Sequence, residues 1–147
     1  MKTVNSMKLS FISKSVNESF ARSAVASFLL PLDPTVAQIA DVKTAVSEAV
    51  TNAIVHAYPD AFGTVYIEAR LTDTGRAIIK IRDRGIGTPD IAKAMEPLYT
   101  TSNDERAGLG FAVMQSFTDK VKVRSTVGKG TTVTLEKLIS RSEDGQK

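Results

Sequence analysis

From Asp33 to Pro59 the chain carries a long helical pattern that must accommodate two polar residues beside its apolar stripe. Val36, Ile39, Ala40, Val46, Ala49, Val50, Ala53 and Ile54 recur at helical spacing. Asp33 reads as the N-cap and Pro34 as the first helical residue, and Pro59 stops the helix after about His56. Glu48 and Asn52 are four residues apart, which places them one turn apart on one face. Burying a carboxylate and a carboxamide next to a core-facing stripe costs free energy unless something pairs with them. Two readings stand at this point: an ordinary amphipathic helix with an exposed Glu and Asn, or one wall of a site.

The rest of the chain supplies strands around this helix. Lys8 to Ser13 alternates as a short strand, and Ser15 with Glu18 spells a capping box for a helix over about 16 to 29. Gly63 to Leu71 and Arg76 to Arg82 alternate around the Asp73-Thr74-Gly75 turn, which predicts a hairpin. Thr88 to Ala107 is long and irregular, with at most a short helix near Ile91 to Met95, as functional lids are. Gly108-Leu109-Gly110 opens a helix through Phe117, and Val121 to Ser125 and Thr131 to Leu138 form a second hairpin. Helices standing apart from a mostly antiparallel sheet predict an α+β fold, a two-layer sandwich.

A chain of 147 residues suits one domain with a sizeable core, here about 8 to 138 with frayed ends over Met1 to Met7 and Ser140 to Lys147. No apolar run approaches a membrane span, and no signal peptide is visible, so no membrane and a cytoplasmic location are expected. Cys is absent and His56 stands alone, which excludes disulfides, thiol chemistry and a His-based zinc site. The net charge is +3 with basic residues scattered and no Arg or Lys runs, so no direct nucleic-acid ligand is expected.

Asp83 ends a strand, with Gly85 and Gly87 two and four residues on. That is either an ordinary turn or a carboxylate that accepts from the adenine N6 amino group and repels the guanine acceptor at the same edge. The glycines would let the backbone approach the ring. Gly108-Leu109-Gly110 before a helix is a weak anion-site signal, with neither a Rossmann nor a Walker context. Thr100, Thr101 and Arg106 precede it and would reach phosphates. Gly128-Lys129-Gly130 reads as a hairpin turn, with the Thr131 hydroxyl available to a base pocket.

The fixed order Glu-x-x-x-Asn, Asp-x-Gly-x-Gly, lid, Gly-x-Gly, Gly-Lys-Gly-Thr-Thr is more specific than any one piece. It resembles the Bergerat ATP-binding fold of gyrase B, Hsp90, histidine kinases and MutL, over roughly Lys8 to Leu138. Within that group Asn17 to Arg22, Thr44 to Ile54, Pro97 to Thr101 and Glu105 to Phe111 resemble the stand-alone serine kinases of the sporulation anti-sigma-F type. The general-stress anti-sigma-B type is the related alternative.

The resemblance implies ATP and ADP as nucleotides, with Asn52 holding Mg²⁺ and Glu48 as the base that deprotonates the attacking serine. It implies that Asp83 selects adenine and that Arg22 and Glu105 lie on a partner-binding surface. Its implied partners are a sigma factor and a small anti-anti-sigma substrate, and its implied oligomer is a homodimer. Two residues depart from the family pattern. Ala57 stands where a Gly is usual, and Ser102 where the lid often carries a basic residue. A nucleotide-responsive binding module without catalysis is the competing class. A sensor histidine kinase is disfavoured by the lack of a dimerisation helix pair, and a gyrase-type ATPase by the lack of a transducer domain.

Overall fold

The computed structural model describes residues 1–87 and 105–139, with backbone only for 105–109. Its elements are β1 (Thr3–Ile12), α1 (Asn17–Phe28), α2 (Val36–Asn52), β2 (Thr64–Thr72), β3 (Arg76–Asp83), α3 (Glu105–Phe117), β4 (Lys120–Thr126) and β5 (Gly130–Leu138). The strands make one five-stranded sheet in the order β1-β2-β3-β5-β4, every neighbouring pair antiparallel. The helices cover one face, and the expected α+β two-layer sandwich is observed. Val25, Leu29, Val42, Val46 and Val50 from the helices meet Ile67, Ile79, Ile81 and Leu135 from the sheet in one apolar core. The predicted hairpins and all three predicted helices are present.

Several boundaries differ from the sequence expectation. β1 begins at Thr3, inside the segment expected to fray, because Asn5 to Ile12 pairs residue by residue along β2 and Thr3 pairs with Thr72 beyond an irregularity at Val4. Alternation is weak there, and the ordering comes from a partner strand more than fifty residues away.

Ser15 does not cap α1. Val16 holds the N-cap position without a side-chain bond. The Glu18 carboxylate is engaged elsewhere, accepting from Arg22 at 3.3 Å and from the Ser47 hydroxyl of α2.

Asp33 does not cap α2. It adopts a left-handed conformation (φ 54) closing a short 3₁₀ turn at Leu30–Leu32, a conformation Asp tolerates better than most residues. Thr35 is the cap: its hydroxyl accepts from the Gln38 N–H, and the Gln38 side chain accepts from the Thr35 N–H.

The α-helical part of α2 ends at Asn52. Ala53–Ala57 form a π-helical turn, the wider winding that often marks functional positions. α3 starts at Glu105, so Gly108 to Gly110 lie within its first turns instead of preceding it. Glu105 suits the positive end of that helix, and Arg106 and Ala107 are good helix formers. The expected short helix near Ile91 to Met95 falls outside the described residues.

Candidate nucleotide site

α2 delivers Glu48 and Asn52 to the edge of the helical layer, where α3 crosses at Gly110. A side-chain carbon placed on Gly110 would stand 3.0 Å from Asn52 Nδ2, 3.2 Å from Glu48 Oε1 and 3.3 Å from Asn52 Oδ1. The carboxylate and the carboxamide therefore converge on one point, which a side chain at residue 110 would crowd. Asn52 Nδ2 and Oδ1 are both buried and, among the described residues, have no hydrogen-bond partner. Buried polar atoms are nearly always satisfied, and each one left without a partner costs about 1–3 kcal/mol. A buried carboxamide in that state is suited to hold a ligand.

The second cluster lies at the end of β3. Asp83 is 7% exposed, and its Oδ1 accepts from the Gly85 N–H at 2.9 Å and the Thr131 N–H at 3.1 Å. Burial pushes its carboxyl above the ordinary aspartate range, and the two backbone N–H groups pull in the opposite direction. With Oδ1 engaged by two donors, Oδ2 is the oxygen left for a ligand donor. The Thr131 hydroxyl is 2.8 Å from the Ser125 hydroxyl, so Thr131 also meets the site through its backbone.

Gly85 is glycine for steric reasons: a Cβ there would sit 2.1 Å from the Ala57 carbonyl oxygen. Gly87 has φ +74, and a Cβ would sit 2.3 Å from the Thr126 carbonyl oxygen. The loop is pinned on both sides, by Ile86 N–H to the Ala57 carbonyl at 3.0 Å and by Gly128 N–H to the Ile86 carbonyl at 2.8 Å. Among the described non-glycine residues only Asp33 has a positive φ. Ala57 therefore needs no glycine-like backbone, and its methyl packs against Gly85.

Of the residues expected at the site, Glu48, Asn52 and Gly110 meet at one place, and Asp83, Gly85, Gly87 and Thr131 at another. The π turn Ala53–Ala57, which follows directly on Asn52, joins the two. The backbone of Glu105, Arg106, Gly108 and Leu109 lies in the first turns of α3, while their side chains, with Thr100, Thr101 and Ser102, lie outside the described residues. Arg22 sits on α1, paired to Glu18. Sequence reasoning missed the Ser47–Glu18–Arg22 chain that ties α1 to α2, although Glu18 was already marked. It also missed the π turn, for which the sequence offers no signal.

Residues 14–137 match the family described as the histidine kinase-like ATPase domain. The chain belongs to that family. An anti-sigma F factor of Caldanaerobacter subterraneus is 54% identical over 94% of this chain and 96% of its own length. The anti-sigma F factor of Clostridium acetobutylicum is 54% identical over 95% of this chain and 98% of its own. At that identity and coverage the chain is also a member of the anti-sigma F factor family.

Among solved structures, a Mycobacterium tuberculosis protein with RsbU and RsbW domains superposes with a TM-score of 0.69 at 20% identity, covering 95% of this chain and 34% of that one. A histidine kinase domain from Erythrobacter litoralis gives 0.58 at 19% identity over 83% of this chain and 60% of its own. Both likenesses concern the fold. An ATPase domain of this kind implies that ATP or ADP is its ligand. No described helix is long and apolar enough to cross a membrane.

Proposed function

We propose that the chain is a single-domain anti-sigma factor that binds a sigma factor and phosphorylates a small anti-anti-sigma protein on serine, using ATP and Mg²⁺. The observation that carries the reading is the unsatisfied Asn52 carboxamide beside Glu48 and Gly110. Its oxygen is the hard donor Mg²⁺ prefers, and Mg²⁺ is normally held by one or two protein oxygens together with substrate phosphates. Bound there, the metal would neutralise charge on the phosphates during transfer.

Glu48, one turn earlier, takes the proton from the incoming serine hydroxyl. The serine oxygen bonds to the terminal phosphorus, the bond to the ADP oxygen breaks, and the proton stays on Glu48. Asp83 accepts from the adenine amino group through Oδ2. Gly85 and Gly87 keep the loop low enough for the ring to approach. Arg106, Thr100 and Thr101 contact the phosphates from the lid side, together with the backbone of Gly108, Leu109 and Gly110. Arg22 and Glu105 belong to the partner surface, and the protein works as a cytoplasmic homodimer.

The test is a phosphorylation time course with ATP, Mg²⁺ and the anti-anti-sigma protein. Glu48→Gln should slow transfer about 10²–10⁴-fold, the loss expected for a missing general base, while nucleotide affinity stays within about twofold of the parent. Equal rates for parent and variant would remove Glu48 from the mechanism. No phosphoserine with either protein, with nucleotide still bound, would leave a nucleotide-responsive binding module.

A further inference from the structure

The outer face of the sheet, opposite the helices, gathers cations that look scattered in the sequence. Because side chains alternate along a strand, Asp83 pointing inward sends Arg82 outward. Arg82 pairs with Thr132 on β5, and Thr132 pairs with Arg124 on β4, so the three form one row across the sheet. The next row repeats the pattern with Lys80, Thr134 and Lys122. Arg84 and Lys129 close the end of the first row. Arg82, Arg84, Arg124 and Lys129 line a hollow of about 410 Å³ at the end of this row, where Asp83 and Thr131 also border it.

Two observations separate this hollow from an ordinary charged surface. The Arg82 and Arg84 guanidiniums both lie against the Tyr66 ring, at 4.6 and 4.9 Å from its centroid. They are thereby held near one another, and among the described residues neither they nor Arg124 nor Lys129 has a carboxylate in ion-pair range. Cations on an edge strand guard it against pairing with other chains, which accounts for Lys122 and Arg124 on β4. It does not account for Lys80 and Arg82, because β3 lies between β2 and β5.

We propose that this hollow is a phosphate-binding site for a ligand carrying more than one phosphate. Planar guanidiniums match phosphate oxygens in bidentate fashion, and four converging cations suit more negative charge than one phosphate group carries. Tyr66 is occupied by the arginines and so is not offered for base stacking. Recognition therefore rests on the phosphates, whether a free oligophosphate or the phosphodiester backbone of a single strand supplies them.

The test is titration of the full chain with inorganic tripolyphosphate and, separately, with a thymidine oligonucleotide, in saturating ADP and at low and high salt. Binding of either probe is expected, weakening as salt rises. Arg82→Ala and Arg124→Ala should each weaken it about tenfold or more, since a lost charge-assisted contact is of that order, and should leave ADP affinity unchanged. Arg82→Lys, which keeps the charge without the fork, should fall between parent and Arg82→Ala. Thermal melts of each variant check that the sheet is intact. Tripolyphosphate binding alone assigns a free oligophosphate, and oligonucleotide binding alone assigns a phosphodiester. Polyglutamate binding as tightly as either probe, binding indifferent to Arg82 and Arg124, or no binding at low salt would each overturn the proposal.

Discussion

Asn52→Leu should make the ligand-free protein more stable and abolish its response to nucleotide. Leucine has nearly the shape of asparagine, and its two methyl groups would stand where Oδ1 and Nδ2 now lie. Those atoms are buried and without partners among the described residues, so their removal relieves a penalty of about 1–3 kcal/mol. Leucine also exceeds asparagine in helix propensity by a few tenths of a kcal/mol, and residue 52 closes the α-helical part of α2. Gly110, directly opposite, has no side chain to collide with the new methyls. For a chain of this size each kcal/mol moves the melting temperature about 2–4 °C, so the variant should melt about 2–12 °C above the parent without ligand. Saturating Mg-ADP at a hundred times its Kd should add about 2.7 kcal/mol to the parent and nothing to the variant. Thermal melts of both proteins, with and without Mg-ADP, read both effects at once. A ligand-free variant that melts below the parent would refute the argument, because the carboxamide would then be contributing to folding.

Asp83→Asn should weaken ADP binding by about 1–3 kcal/mol in calorimetry, since the amide would turn a donor toward the adenine amino group. The same substitution should reveal a pH effect. The raised carboxyl of folded Asp83 means that its contribution to stability is fully present below the unfolded value of about 3.9 and is lost as pH rises through the folded one. Denaturant melts should therefore show the parent losing ground to the variant as pH climbs from about 4, with a constant gap once Asp83 is fully ionised; a gap that ignores pH would contradict the burial argument. Gly85→Ala should cost at least about 1–3 kcal/mol in urea unfolding, because the clash at 2.1 Å is with a backbone oxygen that no rotamer change relieves. Arg22→Ala breaks a partly exposed pair and should change stability by less than about 1 kcal/mol, while capture of sigma factor or anti-anti-sigma protein in pull-downs falls and ADP affinity holds. Undiminished capture of both would return Arg22 to the status of a surface charge.

The architecture was legible because periodicity reports which face of an element is buried. The two hairpins and the buried part of the α2 stripe, at Val46, Ala49, Val50 and Ala53, follow from spacing alone, whereas Val36 and Ala40, which spacing puts on the same stripe, are exposed. Element ends were less legible, because they depend on competition between neighbouring groups. Ser15-x-x-Glu18 and Thr35-x-x-Gln38 both spell a capping box, yet only the second forms one, because Glu18 is drawn to Ser47 and Arg22. The site residues were legible as an ordered set of short motifs. Their grouping was not, since the contact of Gly110 with Glu48 and Asn52 joins residues about sixty apart. The cations of the outer face escaped notice for a simpler reason: alternation along strands never places two of them side by side in the sequence.

The pinned loop at Gly85 to Gly87 has a metrical consequence. Asn52 and Ala57 belong to one continuous turn of chain, the Ala57 carbonyl holds Ile86, and the Ile86 carbonyl holds Gly128 of the β4–β5 turn. Asp83, through Thr131, is fastened to that same hairpin. The span between the carboxylate at one end and the carboxamide at the other is thus a fixed gauge, cast in covalent bonds and a few backbone hydrogen bonds. On the proposed function, a nucleotide must fit that gauge in length as well as in chemistry. Any adjustment to a diphosphate or a triphosphate falls to the part of the site outside the gauge, the α3 side.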